Sequence, residues 1–426
     1  MIDTRAPAER AYLVGLDQPR ARFDAEDSLN ELASLVEAAG AVVTGRTIQQ
    51  RRTPDPHTWV GKGKAAELTA EAGTLGADLI VTDDELTPTQ QRGLEAVTNR
   101  RVVDRSAVIL DIFARHARTK EGRLQVEVAQ LRYQMPRLKG IWKGLSRQGG
   151  GIGTRGPGES LLETDRRVIE QRLLDLTGKL SEVQKQRERS RRSRGDEGLF
   201  LSALVGYTNV GKSTLLNVLA GSDVFVADQP FATLDPTTRR MNMAGGGAIL
   251  LSDTVGFVNK LPPTLVAAFR ATLEELNDAD LLIHVADVGH PNLHERLVVV
   301  RETLKSLELA ARPSLLVFNK VDALKGAEGD AVREALGGEF PAAVFTSAQT
   351  GEGLDTLRAR LAELAAAQFK HIKVVVPYSE GALVQRVRER GQLRNADYSE
   401  RGIEIDANVP PDLAKELTSH RVAKAR

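Results

Sequence analysis

The sequence predicts an α/β protein of several domains, with a doubly wound parallel sheet near its centre. The chain has 426 residues, which is more than one hydrophobic core usually serves. Short apolar runs alternate with helical patterns along most of it, as is typical of parallel sheets covered by helices. A glycine-rich turn joins one of these runs directly to a helix-like run, which is where such sheets bind ligands.

Changes in the sequence pattern divide the chain into four parts. Residues 1–118 alternate strand-like runs (YLVGL, AVVTG, ADLIVTDD, RRVVD) with helices and predict a small α/β domain. Residues 119–197 carry two sets of apolar residues at helical spacing, which predicts a helical hairpin or coiled-coil arm. Residues 198–368 predict the doubly wound sheet, and residues 369–426 predict a small α+β appendage.

Composition excludes several kinds of chemistry. The chain has no cysteine, so disulfides, thiolate catalysis and cysteine-bound zinc are all excluded. Its net charge of +1 favours no particular partner. The first residues, MIDTRAPAERAY, lack the apolar core of a signal peptide, and no apolar run approaches the roughly 18 residues of a membrane span. We therefore expect a cytoplasmic protein, and nothing requires more than a monomer.

The glycine-rich turn reads GYTNVGKS and has the context of a phosphate-binding loop. It matches GxxxxGK[ST] between an apolar run and a helix, whereas a plain glycine turn would need neither flank. Backbone N–H groups and the helix N-terminus of such a loop surround a β-phosphate. Lys212 is expected to reach the β- and γ-phosphates, and the Ser213 hydroxyl to hold Mg²⁺. The predicted loop residues are Gly206, Tyr207, Thr208, Asn209, Val210, Gly211, Lys212 and Ser213.

Four further motifs follow in the order found in GTP-binding proteins. Each is weak alone, but together, most of them at the end of a strand-like run, they predict a guanine-nucleotide site. The first lies in a polar, turn-rich stretch and comprises Phe231, Ala232, Thr233, Leu234 and Asp235. The second follows AILLS and comprises Asp253, Thr254, Val255 and Gly256. The third follows SLLVF and comprises Asn319, Lys320, Val321 and Asp322. The fourth follows AAVFT and comprises Ser347, Ala348 and Gln349.

The motifs predict separate roles around the nucleotide. Thr233 is the first choice for a second Mg²⁺ ligand and γ-phosphate sensor, with Thr237 and Thr238 as rivals. Asp253 occupies the place of an acid that holds the Mg²⁺ shell through water. The Asp322 carboxylate can accept hydrogen bonds from guanine N1–H and the 2-amino group, which adenine cannot supply.

A basic segment joins the two predicted arm helices. Residues 136–155 contain no acidic residue, several glycines and one tryptophan. Lysine and arginine neutralise phosphates, and a tryptophan can stack on an unpaired base, so we expect contact with RNA. A solvated linker is the alternative. The candidate contacts are Arg137, Lys139, Trp142, Lys143, Arg147 and Arg155.

Two longer signatures, FATLDPTTR (residues 231–239) and GGGIGTRGPGE (residues 149–159), resemble the HflX family, as does the order of the four parts. The resemblance implies a GTPase that binds the large ribosomal subunit and its RNA and splits stalled or idle ribosomes under stress. An assembly factor that docks on immature large subunits without splitting them is the alternative. The resemblance also implies ATP binding by the N-terminal domain. Only GKGK (residues 61–64) offers a local site for ATP, and a plain strand-to-helix turn is the favoured alternative.

Two residues bear on the hydrolysis mechanism. Many small GTPases carry glutamine directly after DxxG, where this chain has Phe257, whose benzyl group cannot orient water. Either another residue or the ribosome therefore completes the site, and we expect slow intrinsic hydrolysis, roughly 10⁻⁴ to 10⁻² s⁻¹. Asn209 is a candidate ligand for a K⁺ ion, and a role in loop geometry is the alternative.

Overall fold

The computed structural model describes residues 8–19, 21–138, 166–183, 185, 200–221, 230–231, 237–243, 247–262 and 274–420. The chain divides into two compact units. Unit 1 consists of Met1–Val183 with two short later stretches, Asp228–Asp235 and Val258–Ala271. Unit 2 consists of Gln184–Ala227, Pro236–Phe257 and Thr272–Arg426.

Unit 1 contains the small α/β fold that the sequence predicts. Its four strands form a fully parallel sheet in the order β2-β1-β3-β4, with apolar side chains of the strands and helices in its core. The elements are β1 (Arg10–Asp17), α1 (Ala25–Ala38), β2 (Val42–Gln50), α2 (Lys62–Thr74), β3 (Leu79–Thr82), α3 (Pro88–Thr98), β4 (Arg101–Asp104) and α4 (Arg105–His116).

Polar residues fix where the helices of unit 1 begin. Thr87 caps α3 through a reciprocal pair of hydrogen bonds with Gln90, and proline is tolerated in the first turn that follows. The Asp104 side chain accepts a hydrogen bond from the Ala107 N–H at the start of α4. Because α4 follows β4 without a loop, the sequence pattern alone did not separate it from the strand before it.

The helical arm is present as two packed helices, α5 (Lys120–Leu138) and α6 (residues 166–183). Leu124 and Val128 of α5 and Leu176 of α6 form its buried core. An ion pair between Arg172 and Glu127 joins the two helices at 2.8 Å. The apolar spacing therefore predicted this pair of helices correctly.

Unit 2 contains the predicted doubly wound sheet, in the order β10-β9-β8-β5-β7-β6. All its pairs are parallel except the one between β6 and β7. The elements are β5 (Phe200–Gly206), α7 (Lys212–Ala220), β6 (Thr237–Asn242), β7 (Ala248–Asp253), β8 (Leu281–Asp287), α8 (Leu293–Ser306), β9 (Ser314–Asn319), α9 (Gly326–Glu339), β10 (Val344–Phe345) and α10 (Leu354–Ala367).

The C-terminal part of unit 2 is the predicted α+β appendage. It is an antiparallel sheet in the order β11-β13-β12 with two helices on its apolar face. Its elements are β11 (Lys370–Val376), α11 (Gly381–Arg390), β12 (Gln392–Ser399), β13 (Gly402–Val409) and α12 (Pro411–Glu416). The sequence analysis missed β6 and β12, two largely polar edge strands without a clear apolar alternation. Among the helices of the described ranges, none is long and apolar enough to cross a membrane.

Candidate functional site

The predicted phosphate-binding loop connects β5 to α7, with a glycine required near each end. A side chain at Gly206 (φ +154°) would place its Cβ atom 2.2 Å from the Val285 carbonyl oxygen. At Gly211 (φ +89°), a Cβ atom would lie 2.4 Å from the Asn319 amide nitrogen. Only glycine therefore fits at these two positions, and the α7 N-terminus follows directly, as anion binding requires.

Lys212 folds back over this loop. Its buried ammonium group donates hydrogen bonds to the carbonyl oxygens of Tyr207 (2.7 Å) and Gly206 (3.3 Å). Burial lowers the pKa of Lys212 to about 8, although the charge of Asp253 acts in the opposite direction. A buried cation beside backbone donors is suited to terminal phosphates of a nucleotide.

Ser213 and Asp253 lie together on the phosphate side of the site. The Ser213 hydroxyl donates to the buried Asp253 carboxylate at 2.5 Å, and the backbone N–H of Thr254 donates to its other oxygen at 3.0 Å. This pair of hard oxygen ligands fits Mg²⁺, which binds one or two protein oxygens and completes its shell with phosphates and water. In the part of the chain that the structure describes, no group of three or more histidine, aspartate or glutamate side chains is arranged to hold a metal ion.

The predicted second magnesium ligand, Thr233, lies outside the described residues. Its two rivals lie in β6, where Thr237 pairs with Asp253 and Thr238 pairs with Ser252 in the antiparallel ladder. The structure therefore brings Thr237 next to the acid that the sequence assigned to the magnesium shell.

The segment after Asp253 pairs with the phosphate-binding loop. The Thr208 N–H donates to the Phe257 carbonyl at 2.8 Å, and the Phe257 N–H donates to the Gly206 carbonyl at 3.0 Å. A Cβ atom on Gly256 would lie only 3.0 Å from the Lys212 ammonium nitrogen. The Phe257 side chain is 2% exposed, so a buried hydrocarbon group stands where many small GTPases orient water.

On the base side, Asn319 connects two loops. Its amide nitrogen donates to the Val210 carbonyl at 2.9 Å, and its amide oxygen accepts from the Ala348 N–H at 3.0 Å. The Ser347 hydroxyl donates to the Asp322 carboxylate at 2.5 Å. The third and fourth predicted motifs thus meet at the carboxyl ends of β9 and β10, with Val321 buried beneath them and Gln349 in the following turn.

Lys320 adds a contact that the sequence analysis did not predict. Its ammonium group donates to the Asn209 carbonyl at 2.7 Å and pairs with Asp287 at 2.8 Å. Asp287 ends β8, so a carboxylate at the end of a parallel strand was the available signal for this contact. Asn209 has a φ of +59°, which asparagine tolerates well, so the loop-geometry reading has a direct structural basis and the K⁺ site stays a prediction.

Another unpredicted contact supports Tyr207. The Arg296 guanidinium of α8 lies over the Tyr207 ring at 4.3 Å, a cation–π arrangement. Nothing in the local sequence pattern signals this pairing, since the two residues are far apart in the chain. His284 of β8 lies near this region, and burial lowers its pKa to about 4, so the imidazole is neutral at physiological pH.

Several predicted residues pack within unit 1 or lie outside the described residues. The Phe231 ring packs in unit 1 against Phe113, with ring centroids 4.6 Å apart. Arg137 pairs with Asp104 at 2.9 Å and lies 3.5 Å over the Tyr133 ring, so its RNA contact stays a prediction. The remaining predicted residues of these two groups lie outside the described residues: Ala232, Leu234, Asp235, Lys139, Trp142, Lys143, Arg147 and Arg155.

The GKGK turn gives little support to a second nucleotide site. Gly61 precedes the first residue of α2, and Lys64 in the first turn pairs with Glu67 at 3.0 Å on the same helix. One of its two lysines is therefore already neutralised by a neighbouring carboxylate.

Comparison with known proteins identifies the family. Three family descriptions match consecutive parts of the chain: a GTP-binding GTPase N-terminal region at residues 26–114, a GTP-binding GTPase middle region at residues 116–194, and a 50S ribosome-binding GTPase domain at residues 202–320. A solved GTP-binding protein from Sulfolobus solfataricus in complex with GDP covers 84% of this chain and 99% of its own, at 23% identity and a TM-score of 0.44.

Full-length relatives are more similar. GTPase HflX of Lacrimispora saccharolytica is 44% identical over 420 residues, which is 99% of this chain and 98% of the relative. GTPase HflX of Escherichia coli is 44% identical over 390 residues, 91% of this chain and 90% of the relative. The resemblance noted in the two signatures therefore extends along nearly the whole sequence, and the chain belongs to the HflX family of GTP-hydrolysing enzymes.

Proposed function

We propose that this GTPase binds the large ribosomal subunit in its GTP-bound form and splits stalled or idle ribosomes, with hydrolysis ending the association. The family is one of ribosome-binding GTPases, and the match to a 50S ribosome-binding GTPase domain covers residues 202–320. A ribosomal partner would place the protein in the cytoplasm.

The proposed site uses the residues that the five motifs supply. Lys212 neutralises the β- and γ-phosphates, and Ser213 with Thr233 binds Mg²⁺, whose shell Asp253 holds through water. When bound, Mg²⁺ compensates negative charge on the phosphates during transfer. Asp322 accepts the two guanine N–H donors and thereby excludes adenine.

The observation that carries the proposal is the buried position of Phe257. Both of its backbone groups bond to the phosphate-binding loop, and its side chain has no polar atom with which to orient water. Because the Phe257 side chain cannot orient the water, we infer that a partner completes the site. We expect intrinsic turnover of roughly 10⁻⁴ to 10⁻² s⁻¹ and a marked increase with ribosomes.

The basic segment of residues 136–155 supports contact with ribosomal RNA. Its lysines and arginines carry no acidic neighbour within the segment, and Trp142 offers a ring on which a base can stack. We propose that Lys139, Lys143, Arg147 and Arg155 contact phosphates there.

Sedimentation through sucrose gradients tests the proposal. Purified protein with intact ribosomes and a non-hydrolysable GTP analogue should co-sediment with the large subunit and convert ribosomes into free subunits. GDP and the Lys212→Ala variant should do neither, because neither provides the loaded state. Binding to immature large subunits without any splitting would favour the assembly-factor alternative. If the protein co-sedimented with neither subunit in the presence of any nucleotide, the ribosomal role would be overturned.

A further inference from the structure

We propose that unit 1 contains a receptor for the switch segments, and that Lys260 couples the segment after Asp253 to it. The switch segments are residues 230–231 and 258–262, the described parts of the two stretches, Asp228–Asp235 and Val258–Ala271, that unit 1 takes from the nucleotide-binding part of the sequence. The inference uses the phosphate-site roles proposed above and does not depend on a ribosomal partner.

Lys260 binds two neighbouring carboxylates of unit 1. Its ammonium group pairs with Asp84 at 2.7 Å and also with Asp83, which is 2% exposed. Burial by itself lowers the pKa of Lys260, but the charges and hydrogen bonds of the two carboxylates outweigh it and raise the pKa above its usual value. The lysine also has a left-handed backbone φ of +53°, a conformation that residues other than glycine rarely adopt. These contacts define a specific ionic attachment.

The attachment lies where sheets of this type bind ligands. In the sheet order β2-β1-β3-β4, β2 lies on one side of β1, and β3 and β4 lie on the other side. The strand order therefore reverses between β1 and β3. Open parallel sheets take ligands in the crevice at the carboxyl ends of the strands at such a reversal. Asp83 and Asp84 directly follow β3, so in unit 1 this position receives a lysine of the same chain.

The charges around this crevice favour a cation there. Asp83 accepts a hydrogen bond from the buried Arg105 guanidinium at 2.7 Å, and Glu31 pairs with the same guanidinium at 2.5 Å. Without Lys260, this cluster would contain three carboxylates (Glu31, Asp83 and Asp84) and only the Arg105 guanidinium to neutralise them. Buried charges need partners, so the lysine has a clear electrostatic preference for this place.

The other switch segment reaches the same part of unit 1. Phe231 packs edge-on against Phe113, with an angle of 68° between the rings, and both side chains are buried. Phe113 belongs to α4, the helix that Arg105 begins. Eight residues of helix span about 12 Å, so one short helix supports both the ionic and the aromatic attachment.

A short length of chain connects the ionic attachment to the phosphate site. Lys260 lies three residues after Phe257, a separation that spans at most about 10 Å. Gly256 lies close to the Lys212 ammonium group, since a Cβ atom there would be 3.0 Å from that nitrogen. In the proposed coupling, a γ-phosphate bound between the two displaces this segment outward. The Lys260 attachment opposes that movement, so it favours GDP over GTP, and GTP binding releases it.

Nucleotide affinities of Lys260 variants test the coupling. We expect Lys260→Ala to increase the affinity for a non-hydrolysable GTP analogue, relative to the affinity for GDP, by about fivefold or more. Fivefold is the lower end of the usual range for coupled sites. Lys260→Arg should keep the wild-type ratio because it retains the charge. Asp84→Lys should act like Lys260→Ala, and the charge-reversed double variant Lys260→Asp/Asp84→Lys should return toward the wild-type ratio. Lys305→Ala, at an exposed position of α8, is the matched control.

The affinity ratio separates this inference from the nucleotide-binding roles. An unchanged ratio in Lys260→Ala would overturn it, as would a double variant that is no closer to wild type than the singles. Hydrogen exchange gives an independent readout: amides of residues 258–261 should exchange faster with the GTP analogue than with GDP. Equal exchange in the two states would also overturn the coupling. Loss of all nucleotide binding in Lys212→Ala, by contrast, concerns only the phosphate site.

Discussion

The two sides of the nucleotide site are supported differently. On the base side, Asn319 holds the Val210 carbonyl and the Ala348 N–H, and Ser347 holds Asp322, all within unit 2. On the phosphate side, the chain after Phe257 continues directly into a stretch that belongs to unit 1.

This difference separates recognition of the guanine base from the response to the γ-phosphate. The groups proposed to bind guanine already bond to one another within unit 2, so we expect base selection to depend little on the rest of the chain. The segments that should respond to the γ-phosphate are flanked by residues whose buried contacts lie in unit 1. Variants on the base side should therefore weaken the binding of GDP and GTP alike. Changes at the switch attachments should instead alter the ratio of the two affinities.

The largest expected effect is at Asp322. In Asp322→Asn the carboxylate proposed to accept two guanine donors becomes an amide. The amide oxygen can still accept one of these donors without the help of a charge, but the amide NH2 group would face the other donor, so binding of GTP and GDP should weaken by about 100- to 10,000-fold. Xanthine carries an oxygen where guanine carries its amino group, so the variant amide can donate to it. Equilibrium titration with guanosine and xanthosine diphosphates should show a reversed preference.

Asp355→Asn is the matched control, because this carboxylate lies fully exposed at the start of α10. It should bind both bases like the wild type. Unchanged guanine affinity in Asp322→Asn would contradict the assignment of the base side and the separate support of the two sides.

A smaller effect is expected at Asn319, which joins the base side to the phosphate-binding loop. Asn319→Ala leaves the Val210 carbonyl and the Ala348 N–H without their partner, at about 1–3 kcal/mol for each buried group. Both nucleotides should weaken about 10- to 100-fold, and their ratio should stay constant. Calorimetric titration measures both affinities, with Asn395→Ala on the exposed strand β12 as the control. A selective loss of the GTP analogue would contradict the division between the two sides.

Local sequence pattern predicted the base side and the phosphate-binding loop because each motif follows an apolar strand and is read from neighbouring residues. The same reasoning placed α6 from Leu173, Leu176 and Leu180 at helical spacing. Pattern failed for β6, whose TTRRMN sequence carries no apolar alternation and forms an antiparallel edge strand. Its assignment depends on pairing with β7, which no local period reveals.

Long-range contacts could not be predicted for a similar reason. Lys260 and Asp83 are separated by 177 positions, and neither belongs to a recognisable motif. A lysine shortly after DTVGF gives no indication of which carboxylate it meets. The sequence therefore predicts a nucleotide site, but it does not predict the contacts of the segments that follow the motifs.

The smallest expected effect is a dependence of affinity on pH that distinguishes the two lysines. Burial lowers the pKa of Lys212 to about 8 in the free protein, and bound phosphates raise it. The contribution of Lys212 to binding is therefore complete below the free-state pKa and is lost as the pH rises through it. Affinity for GDP and GTP should fall about threefold to fourfold between pH 7.0 and 8.5. Titration calorimetry in two buffers of different ionisation enthalpy should detect proton uptake at pH 8.5.

Lys260 provides the contrast within the same experiment. Its carboxylate partners raise its pKa, so it stays charged over this range and the ratio of GTP to GDP affinity should not change with pH. Lys212→Arg is the control for the first lysine, because guanidinium does not titrate here and any remaining affinity should be independent of pH. A ratio that drifted between pH 7.0 and 8.5 would mean that the switch attachment titrates with the phosphate site, and that the two sides are not supported separately.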